Sequence, residues 1–166
     1  MKKCILFAGA VGCSKIPVAV YLSHSLGLSV FNNDAIRSEV IEDLGILDEK
    51  EFRKRAFGRI KAMVAKDMSF ILDASIDREY KEVFKAIKEN DYEYYLISFD
   101  LSEEFLSELY KSKGYEEYLK RIDEYVNDHD DFLEENPSSV DLVINDDNFM
   151  DRLNISLEAA KYFFNK

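Results

Sequence analysis

The sequence predicts an α/β fold in which helices cover both faces of a parallel sheet. Three observations carry that prediction. Five short apolar runs, Lys3 to Ala8, Leu28 to Asn32, Ser69 to Asp73, Tyr94 to Phe99 and Asp141 to Ile144, alternate with longer segments of helical period. A glycine-bearing turn, Gly9 to Lys15, joins the first run to the first helical segment. The length of 166 residues, with 47% hydrophobic residues and two prolines, suits one domain spanning 1–166 around one substantial core.

Each element follows from local pattern. After the first strand, Val18, Tyr21, Leu22 and Leu26 repeat at helical spacing, and Pro17 falls in the first turn, where its missing N–H has no intrahelical partner. Beyond the second strand, Phe52, Ala56, Ile60 and Met63 form a helical stripe behind an Asp48 to Glu51 capping box. Tyr80, Phe84 and Ile87 repeat that spacing between the third and fourth strands. Residues Ser102 to Pro137 read as two helices broken near Gly114, the second ended by Pro137. The fifth strand leads to a last helix carrying Leu153, Leu157, Ala160 and Phe164. These stripes are assigned to packing on the sheet. No internal repeat or linker interrupts them.

Charge narrows the partners. The chain holds 22 Lys plus Arg against 33 Asp plus Glu, a net charge of −11, and residues 101–151 alone hold 16 acids against 4 bases. Clustered Lys and Arg supply most non-specific nucleic-acid affinity and draw proteins to anionic membranes, so neither partner is expected. The acidic stretch reads either as a solvated face or as a lid over residues 102–137, in which Lys111, Lys113, Lys120 and Arg121 are the only bases. Cys4 and Cys13 have no companions at metal-ligand spacing, which suits a reducing compartment, and His24 and His129 are read as surface or helix residues. The start M-K-K-C-I-L-F-A-G-A-V-G-C imitates a lipoprotein signal, but its apolar run is short and a helical pattern follows Cys13. No run approaches the ~20 apolar residues of a membrane span. The expected location is the cytoplasm.

Chemistry concentrates in G-A-V-G-C-S-K-I, Gly9 to Ile16. It resembles the phosphate-binding loop G-x-x-x-x-G-K-[ST], in which backbone N–H groups and a helix N-terminus cradle phosphates, a lysine reaches their oxygens and a hydroxyl holds magnesium. Gly9, Gly12 and Lys15 fit, whereas Ser14 stands in place of glycine and Ile16 in place of the hydroxyl residue. A second segment, V-F-N-N-D-A-I-R-S-E, carries a D-x-x-R at Asp34 and Arg37, and I-L-D-A-S ends at Ser75. With V-D-L-V-I-N-D before the last helix, the chain resembles the P-loop kinases of the zeta-toxin and polynucleotide-kinase-like group over nearly its full length in element order.

That resemblance implies a three-layer P-loop NTPase fold, a five-stranded parallel sheet of order 2-3-1-4-5, and ATP with Mg2+ as cofactors. The loop residues Gly9, Gly12, Cys13, Ser14, Lys15 and Ile16 would hold the nucleotide phosphates. Asp34 would accept the proton of a substrate hydroxyl, Arg37 would bind an acidic part of the substrate, and Asp34 and Asp73 would hold the metal. Structural alternatives stand beside these roles: Asp34 as a helix N-cap, Arg37 paired with Asp34 or Glu39, and Asp73 as a strand-end turn acid. The implied activity is transfer of the γ-phosphoryl group of ATP to a hydroxyl of a small molecule, slowed by a weak metal site because isoleucine offers no oxygen. A nucleotide- or phosphate-binding relative without transfer activity is the alternative, and an interaction module whose N-terminus imitates the loop is a third.

Overall fold

The structure, a computed structural model, describes residues 2–166. Strand β1 (Lys2–Gly9) is buried on both faces, and its pleat sends Cys4, Leu6 and Ala8 into one core and Ile5 and Phe7 into another. Helix α1 (Lys15–Leu26) stops at Gly27, which takes the left-handed conformation. There follow β2 (Ser29–Asn32), α2 (Asp34–Leu44), α3 (Glu49–Val64), β3 (Phe70–Ser75), α4 (Tyr80–Glu89) and β4 (Tyr92–Phe99). The chain continues through α5 (Glu103–Lys113), α6 (Glu116–Leu119), α7 (Ile122–Glu135) and β5 (Leu142–Ile144), and α8 (Arg152–Asn165) closes it after a short 3-10 turn at Phe149–Asp151.

All strand pairs are parallel and the order is β2-β3-β1-β4-β5, as the sequence resemblance implied. One core lies under α1 and α8, where Val18, Leu22, Leu157 and Ala160 meet Ile5, Phe7 and Ile97. The other lies under α3 and α4, where Ala56, Ile60, Val64, Val83 and Ile87 meet Leu6, Phe70 and Leu72. Helix α7 spans both, because Tyr125 belongs to the first core and Phe132 to the second. Every βα turn therefore opens at the carboxyl edge of the sheet, the place where open α/β sheets bind ligands.

Element limits agree with the apolar runs to within two residues, and one segment differs in kind. Residues 102–137 form three helices, since Gly114 at φ 71° closes α5 and its N–H returns to the Lys111 carbonyl before α6 begins. The capping box at the start of α3 is half made. Asp48 accepts from the Glu51 N–H at 2.8 Å, while the Glu51 carboxylate turns to Arg55 at 2.9 Å. Among the described residues no helix is long and apolar enough to cross a membrane.

Replacing Asp48 with alanine removes the one side-chain cap of α3, and the expected loss is about 1 kcal/mol in urea unfolding with an unchanged m-value.

Candidate functional site

The turn after β1 is built around Gly9, whose φ of 128° is closed to side chains. A Cβ there would lie 2.8 Å from the Phe99 carbonyl oxygen and 3.0 Å from Cys13 Sγ. Both polar groups of Gly9 are fastened. Its N–H donates to both carboxylate oxygens of Asp77 at 3.1 Å, and its carbonyl accepts from Lys15 Nζ at 2.8 Å and Ser75 Oγ at 2.9 Å. Lys15, only 8% exposed, folds back on the loop and also donates to the Ala10 carbonyl at 2.7 Å. A phosphate seated on the loop would compete with these carbonyls for the ammonium group.

The rest of the loop explains both its fit and its departures. Gly12 sits at φ 75° with Tyr110 against its Cα, and Tyr110 Oη donates to the Val11 carbonyl. Ser14 sits at φ 85°, the conformation for which the glycine of the expected motif is suited, so its Cβ carries a steric cost. The Cys13 side chain is buried in the core, its N–H turns back to the Ala10 carbonyl at 3.3 Å, and burial pushes its thiol up despite Lys15 at 3.2 Å. It lends packing to the loop and no side chain to the cradle. Ile16, second in α1, is 49% exposed and places hydrocarbon where the motif asks for a hydroxyl.

Opposite the loop stand the ends of β2 and β3. Asn32 and Asp73 are register partners, and Asn32 Nδ2 donates to Asp73 Oδ2 at 2.7 Å. Burial raises the Asp73 carboxyl above its usual range, the Asn32 bond and Lys15 oppose that shift, and the charge of Asp34 adds to it. Asp73, Asp34 and Lys15 thus share one neighbourhood. Asp34 opens α2 with an exposed side chain, and its N–H donates to Asn32 Oδ1 at 2.7 Å. The cap position belongs to Asn33, whose carbonyl accepts from Ile36 and Arg37 while its side chain makes no cap, so the N-cap alternative for Asp34 fails by one residue.

Arg37 pairs with neither alternative partner. Its guanidinium lies 5.5 Å from the Phe52 ring centroid, and Glu39 is taken by Arg55 and Arg59. Phe52 also lines a cleft between α3, β3 and α4 with Phe57, Ile60 and Leu72, and Arg53 and Glu79 stand 3.8 Å apart among its lining residues.

Sequence reasoning missed three residues beneath the loop. His129 on α7 is 4% exposed, and its Nδ1 lies 3.3 Å from Asp77 Oδ2, close enough for charge pairing though not aligned as a hydrogen bond. Its Nε2 meets Ser98 Oγ of β4 at 3.0 Å. Ser98, His129 and Asp77 form a buried polar chain that ends on the Gly9 N–H. A histidine inside the acidic run D-H-D-D gives no sign of this, because only the crossing of α7 over the sheet brings it to Asp77. The neighbouring Arg78 clasps α7 as well, through Asp128 at 2.6 Å and Glu124 at 3.0 Å.

Three of the four bases of residues 102–137 have partners. Lys111 pairs with Glu108 at 2.6 Å and Arg121 with Glu124 at 2.7 Å. Lys113 alone among them reaches the loop, donating to the Gly12 carbonyl at 2.8 Å, and burial lowers its pKa, with Arg152 and Lys15 adding to that direction and Cys13 opposing it. Helix α6 has no buried residue, whereas α7 buries Ile122, Tyr125, His129 and Phe132.

No family model matches the chain, and no curated protein does. Solved structures do match over nearly the full length. A gluconokinase from Sinorhizobium meliloti 1021 superposes with a TM-score of 0.65 at 13% identity, covering 99% of this chain and 97% of its own. An APS kinase from Mycobacterium tuberculosis, in complex with AMPPNP and APS, gives 0.67 at 16% identity over 96% of each chain. The tunicamycin resistance protein of Deinococcus radiodurans gives 0.65 at 14% identity over 98% of this chain and 96% of its own. These likenesses establish the fold: a five-stranded parallel sheet of order 2-3-1-4-5 with helices on both faces, shared with the gluconokinase and the APS kinase.

The loop geometry sets opposite outcomes for two substitutions. Gly9→Ala is expected to cost ~3 kcal/mol or more, because the new Cβ meets backbone at β4. Ser14→Gly is expected to leave stability unchanged or raise it by up to ~1 kcal/mol, the relief of the left-handed strain being partly offset by a freer unfolded chain. Chemical unfolding of both variants measures the contrast. His129→Leu strands a buried carboxylate and is expected to cost ~3 kcal/mol, while adding Asp77→Asn recovers part of that loss, which a double-mutant cycle reads directly.

Proposed function

We propose that this chain is a P-loop kinase of the zeta-toxin and polynucleotide-kinase-like group that transfers the γ-phosphoryl group of ATP to a hydroxyl of a small molecule. The observation that carries the reading is the meeting of Lys15 and Asp34 around Asp73 at the carboxyl edge of the sheet. The loop from Gly9 to Ile16 would seat the phosphates, since the first turn of α1 presents N–H groups without intrahelical partners and a positive dipole end. Lys15 would exchange its loop carbonyls for phosphate oxygens.

In the transfer step the acceptor oxygen forms a bond to the γ-phosphorus, the bond from that phosphorus to the β-bridging oxygen breaks, and ADP leaves. The hydroxyl proton passes to Asp34, which is exposed at the mouth of the site. Arg37, one turn further along α2 and over Phe52, would steady the acceptor at the cleft lined by Phe57, Ile60 and Leu72. A movable cover within residues 102–137 would be α6 with its flanks, because α7 is fixed by His129 and Arg78.

Magnesium fits this donor set poorly. Asp34 and Asp73 offer carboxylates, but Ile16 supplies no oxygen from α1, and one Asp73 oxygen is already occupied by Asn32. Positioning and proton transfer fall to the protein's own side chains. The same misfit favours a second reading, a nucleotide-binding relative that does not transfer phosphate.

Titration calorimetry with ATP is expected to show binding that Lys15→Ala weakens by more than about tenfold. Unchanged affinity in that variant overturns the assignment of the loop. Asp34→Asn is expected to lower kcat by ~10² while leaving ATP affinity intact. Binding with no turnover against a panel of hydroxyl acceptors decides for the second reading.

A further inference from the structure

The misfit with magnesium has a counterpart in the cations around the loop, whose significance rests on the reading of that loop as a nucleotide-phosphate site. Two cations touch the loop, Lys15 from α1 and Lys113 from the end of α5, and Arg152 at the start of α8 lies near enough to act on the charge of Lys113. Among the described residues none of the three has a carboxylate within ion-pair distance, in a protein where acids outnumber bases. Lys15 and Lys113 are held by loop carbonyls, and Arg152 donates to the Phe149 carbonyl at 3.0 Å while its Nε is buried without a partner. Two other bases of the acidic stretch are neutralised nearby, Lys111 by Glu108 and Arg121 by Glu124. An ammonium tied only to a neutral carbonyl keeps its donors available to an anion.

Lys113 is placed to use that charge. Its bond to the Gly12 carbonyl sets the ammonium against the wall of the loop, and it rises from the last turn of α5, beside the Gly114 break that precedes α6. Ile16, on the same loop, leaves the space a metal shell would use without an oxygen ligand. We propose that this loop binds the phosphates of its nucleotide without a divalent cation, Lys113 leaving the Gly12 carbonyl to take the phosphate oxygens whose charge a metal would otherwise balance. No covalent step is involved.

The test is calorimetric titration of the full chain with ATP in excess EDTA and again in excess magnesium. The expected affinities agree within about threefold, since the metal adds no protein ligand. Lys113→Met is expected to weaken binding in EDTA by about tenfold or more, Lys113→Arg to restore most of it, and Lys111→Met to leave it unchanged. Ile16→Thr is expected to make magnesium tighten binding where the native chain shows no preference. Binding that vanishes in EDTA and returns with magnesium overturns this inference and leaves the nucleotide reading standing. Equal affinity of Lys113→Met and the native chain in EDTA does the same. Absence of ATP binding in both buffers removes the nucleotide reading and this inference with it. The two-buffer comparison uses the native chain, so it decides even if a variant fails to fold.

Discussion

Everything at the carboxyl edge of this sheet hangs on the closure of Gly9. The residue sits where β1 must leave the sheet, touch β4 and turn into α1 within a few bonds, and the Phe99 carbonyl leaves no room for a Cβ. A backbone turned so tightly has its N–H and carbonyl facing inward, where each needs a partner. Asp77 takes the N–H with both oxygens, and Lys15 and Ser75 take the carbonyl. The loop thereby gains a fixed floor, and its remaining strain is confined to Ser14.

That floor has a cost which the fold meets from another direction. Asp77 is buried with the Gly9 amide on its oxygens, and the residue set 3.3 Å from it, His129, comes from a helix more than fifty positions further along the chain. The position of α7 is therefore part of the loop's architecture. Arg78 secures the same helix from outside through Glu124 and Asp128, and Phe132 secures it from within. Acids that read in the sequence as a featureless surplus are in part the counter-charges of this clasp. Within residues 102–137 the short α6 alone among the helices buries no residue, and Tyr118 and Leu119 rest against the core from it.

The contrast between what was legible and what was not follows from distance along the chain. Strands and helices were readable because their periodicity is local, and β1 announces its burial on both faces by an unbroken apolar run. The order of the strands came with the family resemblance rather than from the pattern. In the site, Lys15, Asp34 and Asp73 were visible because each falls next to a strand end, where a short motif and the topology coincide. Asp77, Ser98 and His129 were invisible for the opposite reason: an acid two residues past a strand, a serine inside one and a histidine among aspartates are each unremarkable until tertiary packing joins them. Lys113 lies between these cases, since the sequence offered four bases and only the end of α5 against Gly12 distinguishes one.

The same geometry resolves a tension in the charge. A protein of net charge −11 repels an anionic nucleotide at long range, but salt shortens that repulsion to ~8 Å at physiological ionic strength. Inside that radius the balance is local: Glu108, Glu124 and Asp128 are turned to Lys111, Arg121 and Arg78, and Lys15, Lys113 and Arg152 have no acid within ion-pair distance, although Asp34, Asp73 and Asp77 stand near the loop. Carbonyl oxygens are partners that such cations can leave without exposing a carboxylate to the incoming phosphate. A carboxylate partner for any of the three would have stabilised the loop more firmly and closed it to anions. On the proposed reading, neutral acceptors for these three groups are what would leave the loop open to phosphate.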